Sequence, residues 1–245
     1  MVSTHGMPKP IFLPSMRTGA SSWTTDLAVI VMVSKQRGAL RMPKTITLYS
    51  DYKSPYAYLA VAAADALARE FSADIKWRPY ILDIPAYLGA AKVDDDGNVL
   101  SEERNAHQWR RVKYSYMDVR RYGNREGLTI RGPRKIFDST IAGAGMLCAQ
   151  AQGVFRPYHD LVFERFFKRE LDIADPAAVE AVLAESGADT TGWAKYAADE
   201  GPAAVRRIQV EAETEGVFGV PTFIIDGEIF WGREHLPVIH EILAV

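Results

Sequence analysis

Hydrophobic and polar positions change period three times along this chain. Thr45–Ser50 (TITLYS) is β-branched and aromatic, and reads as a strand directly after Pro43. Pro55 then suits a first helical position, where a missing N–H costs nothing, and Leu59, Ala62, Ala63, Ala66 and Leu67 recur at helical spacing. Ala73–Ile81 alternates as a second strand, giving β-α-β within about forty residues and predicting a parallel pair with a right-handed crossover. From about Asp83 to Glu215 the pattern is helical, with Asp94–Asn98 (DDDGN) as a loop by its turn chemistry. Helices are predicted over Glu102–Tyr122, Thr140–Gln152, Pro157–Arg169, Pro176–Ser186, Trp193–Ala198 and Ala203–Thr214. The period then returns to β. Pro221–Asp226 and Glu228–Trp231 flank Gly227 as a hairpin, and Glu234–Leu243 closes the chain as an amphipathic helix.

Residues 1–42 do not share this order. They hold Pro8, Pro10, Pro14 and a Ser/Thr cluster, and their apolar run Leu27–Val33 is too short to span a bilayer. They are expected to be a disordered extension, leaving a single domain over 43–245. Composition narrows the class of protein. The 245 residues are 48% hydrophobic, enough for a substantial core. With 29 basic and 31 acidic side chains, the chain lacks the basic excess of a nucleic-acid binder. Its one cysteine, Cys148, excludes an intrachain disulfide, a CxxC pair and a multi-cysteine zinc site, and points to a reducing compartment, most simply the cytoplasm. Five histidines show no HxH or HExxH spacing, so no metal is expected.

Two local features carry chemistry. Ser54-Pro55 lies at a strand-to-helix junction, where a hydroxyl sits beside unpaired N–H groups and the positive end of the helix dipole. Serine is also a common N-cap, and that reading suffices for Ser54 taken alone. The second feature is Gly216–Thr222 (GVFGVPT), with Val220-Pro221 just before a strand, where an ordinary strand-entry proline is the bland alternative. The order β-α-β, helical insertion, β-β-α is that of an α/β thioredoxin-like fold with a large all-helical insertion, placed as in DsbA-type proteins. In such folds Val-Pro-Thr resembles the cis-proline loop. Lys53 reads either as an attractor of anionic substrate or as a solvated lysine. Tyr56, Tyr58, Trp109 and Tyr114 read either as substrate pocket or as packing between the domain and its insertion.

From about Lys44 onward the chain resembles the 2-hydroxychromene-2-carboxylate isomerase family and, more broadly, the kappa-class glutathione transferases. The matching stretches are DYKSPYAYLA (51–60), KYSYMDVRRY (113–122), GLTI (127–130), GVFGVPTFIIDGEIFWG (216–232) and REHL (233–236). The resemblance implies glutathione as cofactor, a small-molecule substrate and a homodimer. It implies that Ser54 is catalytic and stabilises the glutathione thiolate. It implies further that Val220 and Pro221 pair with the glutathione backbone, and that Glu234, with Arg233 beside it, meets the γ-glutamyl amine. Asn98, in Gly97-Asn98, is the nearest match to a glutathione-contacting residue, and reads equally as a turn residue because the surrounding loop departs from the family pattern.

Overall fold

The computed structural model describes residues 44–94 and 96–245; the expectation for residues 1–42 lies outside them. Strand β1 (Thr45–Ser50) leads into helix α1 (Pro55–Phe71) and strand β2 (Asp74–Pro79), and the two strands pair in parallel with Ser50 opposite Pro79. At the far end of the chain β5 (Thr222–Ile225) and β6 (Glu228–Trp231) form an antiparallel hairpin, turned by Asp226 at φ 52° and Gly227 at φ 83°. Both residues adopt the left-handed backbone that a two-residue hairpin turn demands, which Asp-Gly accepts readily. β5 pairs antiparallel with β1, so the sheet order is β2-β1-β5-β6.

Between these halves run α2 (Ile84–Leu88), β3 (Ala91–Val93), β4 (Val99–Glu102), α3 (Ala106–Gly123), α4 (Thr140–Ala151), α5 (Phe155–Lys168), α6 (Pro176–Glu185), α7 (Trp193–Ala198) and α8 (Glu200–Thr214). A short 3-10 turn (Arg233–His235) and α9 (Leu236–Ala244) end the chain. The insertion is helical, as expected, apart from the β3–β4 hairpin around the DDDGN turn. Runs of three and four residues with none buried are too short to show a period, which is why the pattern reads only as a loop. Helix α3 begins four residues later than the pattern suggests. Asn105 and Gln108 close a capping box there, each side chain accepting the other's N–H at 2.9 Å.

The core lies on both faces of the sheet. Ile46 and Leu48 are fully buried on one face and Tyr49 on the other, as strand alternation requires. On the first face Tyr58 of α1 stacks on Phe163 and Phe167 of α5 at 5.0 and 5.5 Å. On the second, Arg78 reaches Glu211 of α8 at 2.6 Å and lies over the Tyr49 ring. Helix α4 guards the sheet edge: Gln150 donates its side-chain amide to the Trp77 carbonyl of β2 at 2.9 Å, satisfying a group that an edge strand leaves open. The carboxyl end of β1 leads into the amino-terminal turn of α1, and Gly143 near the start of α4 packs against Pro79 at the carboxyl end of β2.

Candidate functional site

Helix α1 begins on Ser54, which holds an extended backbone (φ −90°, ψ 113°) and accepts the Ala57 N–H on its Oγ at 3.3 Å. That bond is N-capping. It leaves the serine's own hydroxyl proton available, because the oxygen acts there only as acceptor. The Tyr56 N–H finds no acceptor among the described residues, and Pro55 has no N–H. Ser54 is only 4% exposed. The first turn of α1 therefore presents a hydroxyl and an unspent N–H at the positive end of a 17-residue helix.

The loop before it is rigid for a reason that the sequence pattern does not announce. Asp51, 1% exposed, takes the Lys53 N–H on Oδ1 at 3.1 Å and the Leu82 N–H on Oδ2 at 2.8 Å, while the Lys53 ammonium lies 3.4 Å from Oδ2. Lys53 is thus a buried ion-pair member and not a solvated lysine. Together these bonds pin the Asp51–Ser54 loop to the chain leaving β2.

Register brings the second wall to this loop. Tyr49 faces Thr222, so Pro221 and Val220 continue toward Ser50 and Asp51. The Val220–Pro221 peptide is cis, and Thr222 Oγ1 donates to the Gly219 carbonyl at 2.6 Å within the same loop. Trp231 faces Thr222 across the hairpin, and the Gly232 N–H donates to the Pro221 carbonyl at 2.9 Å. Arg233 and Glu234 follow at once. Glu234 folds its carboxylate back over Gly232, whose φ of +99° is a backbone that favours glycine. Arg233 lies over the Tyr122 ring at 4.8 Å and 4.0 Å from Glu126, and its buried Nε has no partner among the described residues.

Ser54, Val220, Pro221, Arg233 and Glu234 are accordingly carried on adjoining loops. Asn98 is elsewhere in its bonding: at the tip of the β3–β4 hairpin it is exposed, and its side-chain amide donates to Asp94 at 2.9 Å within its own turn. Of the candidate pocket aromatics, Tyr56 joins α1 to α3 by donating to Asp118 at 3.3 Å, and Tyr58 belongs to the α1–α5 stack. Trp109 donates to Glu102 at 2.6 Å, and Tyr114 is 57% exposed. Asp51 escaped sequence reasoning because its partners are set by folding. Cys148 lies within α4, half-buried, outside these loops.

A parallel β-α-β joined to a β-β-α unit, with a buried N-cap serine facing a cis-proline loop, defines a thioredoxin-fold protein whose junction lacks a thiol. Residues 45–244 match the family of DSBA-like thioredoxin domains, and the chain belongs to that family. Its sequence is 26% identical over 203 residues to a 2-hydroxychromene-2-carboxylate isomerase of Sphingobium xenophagum, covering 82% of this chain and 99% of that protein. It is also 26% identical over 199 residues to the Pseudomonas putida enzyme of that name, covering 78% and 90%. Among solved structures, a 2-hydroxychromene-2-carboxylate isomerase superposes with a TM-score of 0.63 at 18% identity, over 82% of this chain and 94% of the other. The cytosolic disulfide reductase DsbM of Pseudomonas aeruginosa, solved with glutathione, superposes with a TM-score of 0.52 at 16% identity, over 82% and 100%.

Proposed function

We propose that the protein is a glutathione-dependent isomerase of a conjugated, aromatic-derived carboxylate of the 2-hydroxychromene-2-carboxylate type. The observation that carries this reading is the buried Ser54 N-cap, with an unspent hydroxyl proton and the Tyr56 N–H beside it, in a chain whose only cysteine lies elsewhere. Those donors fit an anionic sulfur, and the orphaned Nε of Arg233 fits a carboxylate of the same tripeptide. Glutathione, when bound, would supply a nucleophilic sulfur that adds reversibly to a conjugated carbon and is expelled again as thiolate after rotation about the bond. Ser54 donates a hydrogen bond to that sulfur, and the α1 dipole favours its charged form, both lowering the thiol's pKa. Val220 offers its backbone to the cysteinyl segment, and Glu234 an acceptor to the γ-glutamyl amine. The names of the curated relatives favour isomerisation over transfer. Glutathione bound to a fold neighbour agrees with the cofactor, and a homodimer is the matching assembly.

Ser54→Ala tests the reading. It is expected to lower glutathione-dependent turnover by about 10²–10³-fold, the size of effect seen when one preorganised donor is removed. Loss of the cap costs about 1 kcal/mol, so the fold survives. Unchanged turnover with hydroxychromene carboxylate in that variant would refute the assignment. Faster turnover of a chloronitrobenzene by the wild type would shift it to a transferase.

A further inference from the structure

A second helix start at the same corner of the sheet also holds donors with nothing to give to. Helix α4 runs for 12 residues from Thr140. The Thr140 N–H is taken by Asp138 Oδ1 at 2.9 Å, and Gly143 reaches back to the Ser139 carbonyl at 2.8 Å. The N–H groups of Ile141 and Ala142 have no acceptor among the described residues, although Ala142 is wholly buried. A buried helix start without partners calls for a ligand or for water. The independent observation is Ser139 itself. It is 1% exposed, it does not cap the helix, and its Oγ has no hydrogen-bond partner among the described residues.

Packing locates this turn next to the proposed sulfur site. The Gly143 backbone sits against Pro79 and Ile81, where an added Cβ would meet their side chains at 3.2 and 3.5 Å. Pro79 is the register partner of Ser50, whose buried Oγ also lacks a partner among the described residues, and the Tyr80 N–H donates to the Ser50 carbonyl at 2.9 Å. Two residues beyond Tyr80, Leu82 is held by Asp51, on which the Lys53 ammonium also leans. The Lys53 side chain is 6% exposed, and its ammonium lies 3.4 Å from Asp51 Oδ2. The acids of the corner are already engaged: Asp51 by two N–H groups and Lys53, Asp138 by Thr140 through both N–H and hydroxyl.

We propose that the amino-terminal turn of α4, with the Ser139 hydroxyl, receives the carboxylate of the substrate, and that Lys53 supplies the neighbouring positive charge. This rests on the reading of Ser54 as the sulfur site, and it deepens that reading by naming what selects an acidic substrate. Two helix starts at the carboxyl end of a parallel β pair then divide the work, in the place where open α/β sheets bind ligands. Ser139 and Lys53 are specificity-determining residues under this assignment.

The test is equilibrium binding of salicylate, a small hydroxyaryl carboxylate, against salicylamide, its uncharged counterpart, by calorimetry. The full-length wild type is compared with Ser139→Ala, Ser139→Thr and Lys53→Met. Loss of one charge-assisted hydrogen bond is worth about tenfold or more in affinity. Salicylate is therefore expected to weaken about tenfold in Ser139→Ala and Lys53→Met and to recover in Ser139→Thr, with salicylamide unchanged throughout. Equal weakening of acid and amide, or no weakening of either, overturns the proposal; the second outcome means that the donors serve ordered water. No binding of salicylate to the wild type overturns it too. Glutathione binding to the wild type is read separately. Its absence beside intact discrimination of acid from amide would sink the Ser54 reading and leave the carboxylate site standing.

Discussion

Single side chains at the carboxyl end of β1 do two kinds of work, and the physics separates them. Ser54 needs no distant partner: its extended backbone and following proline make it an N-cap wherever this segment folds. Asp51 and Lys53 are different, because each is tolerable in the interior only while the other is there. Removing one partner of a buried pair strands a charge, whereas removing both exchanges it for apolar contact. Asp51→Ala is therefore expected to destabilise by about 3–5 kcal/mol. Asp51→Ala/Lys53→Met should recover a large part of that loss, less the cost of the Leu82 N–H left unpaired. Urea unfolding of the three variants reads the coupling, and additive losses would show that the pair has no net interaction. Ser54 was legible as a candidate because its role is local. The Asp51–Lys53–Leu82 tie was not, since Leu82 lies 31 residues away from Asp51 along the chain.

At the scale of elements, α4 and α5 show how closely the insertion is built. Tyr158 of α5 donates its hydroxyl to the Ala142 carbonyl at 2.8 Å, and its ring lies on Gly145, where a Cβ would come within 2.7 Å of Cζ. The small residues of GAGMLCAQ (143–150) thus mark a helix that others approach closely, and not merely a weakly patterned apolar run. Gly145→Ala gains helix propensity worth about 1 kcal/mol but forces Tyr158 to shift, and overpacking typically costs about 1–3 kcal/mol. The expected net result is a lower thermal midpoint. Tyr158→Phe/Gly145→Ala should recover part of it by removing the hydroxyl; a midpoint at or above wild type in the single variant would show that the contact is loose. The helix period was readable in α5 because Tyr158, His159, Val162, Phe163, Phe166 and Phe167 bury one face, whereas in α4 Ala142–Met146 are buried all round. The β3–β4 hairpin was not readable, because neither face of it is buried.

For the molecule as a whole, stability is tied to pH through one residue buried among rings. His159 is fully buried and surrounded by Tyr52, Trp77, Phe155 and Phe163, with Tyr52 as the hydrogen-bond partner of Nδ1 at 3.0 Å. Burial, reinforced by Arg156, holds its pKa well below the ordinary histidine value. The folded state therefore keeps it neutral, while the unfolded chain takes up a proton near pH 6.5. Stability is full above about pH 6.5 and falls below it, by up to about 1.4 kcal/mol per pH unit, until the folded-state value is reached. His159→Gln should flatten that limb of the profile, and urea midpoints between pH 4 and 8 measure it. An equally steep limb in the variant would assign the loss to other groups. The sequence by itself determined the order of the elements outside the β3–β4 hairpin, the missing thiol and the two motifs at Ser54 and Val220–Pro221, because period, turn chemistry and capping act between near neighbours. Tertiary structure alone decided that those motifs meet, that Lys53 is buried, that Asn98 spends its amide on Asp94, and that Ser139 stands unpartnered beside the same corner. Those outcomes depend on sheet register and helix packing, which bring together groups that the chain keeps far apart.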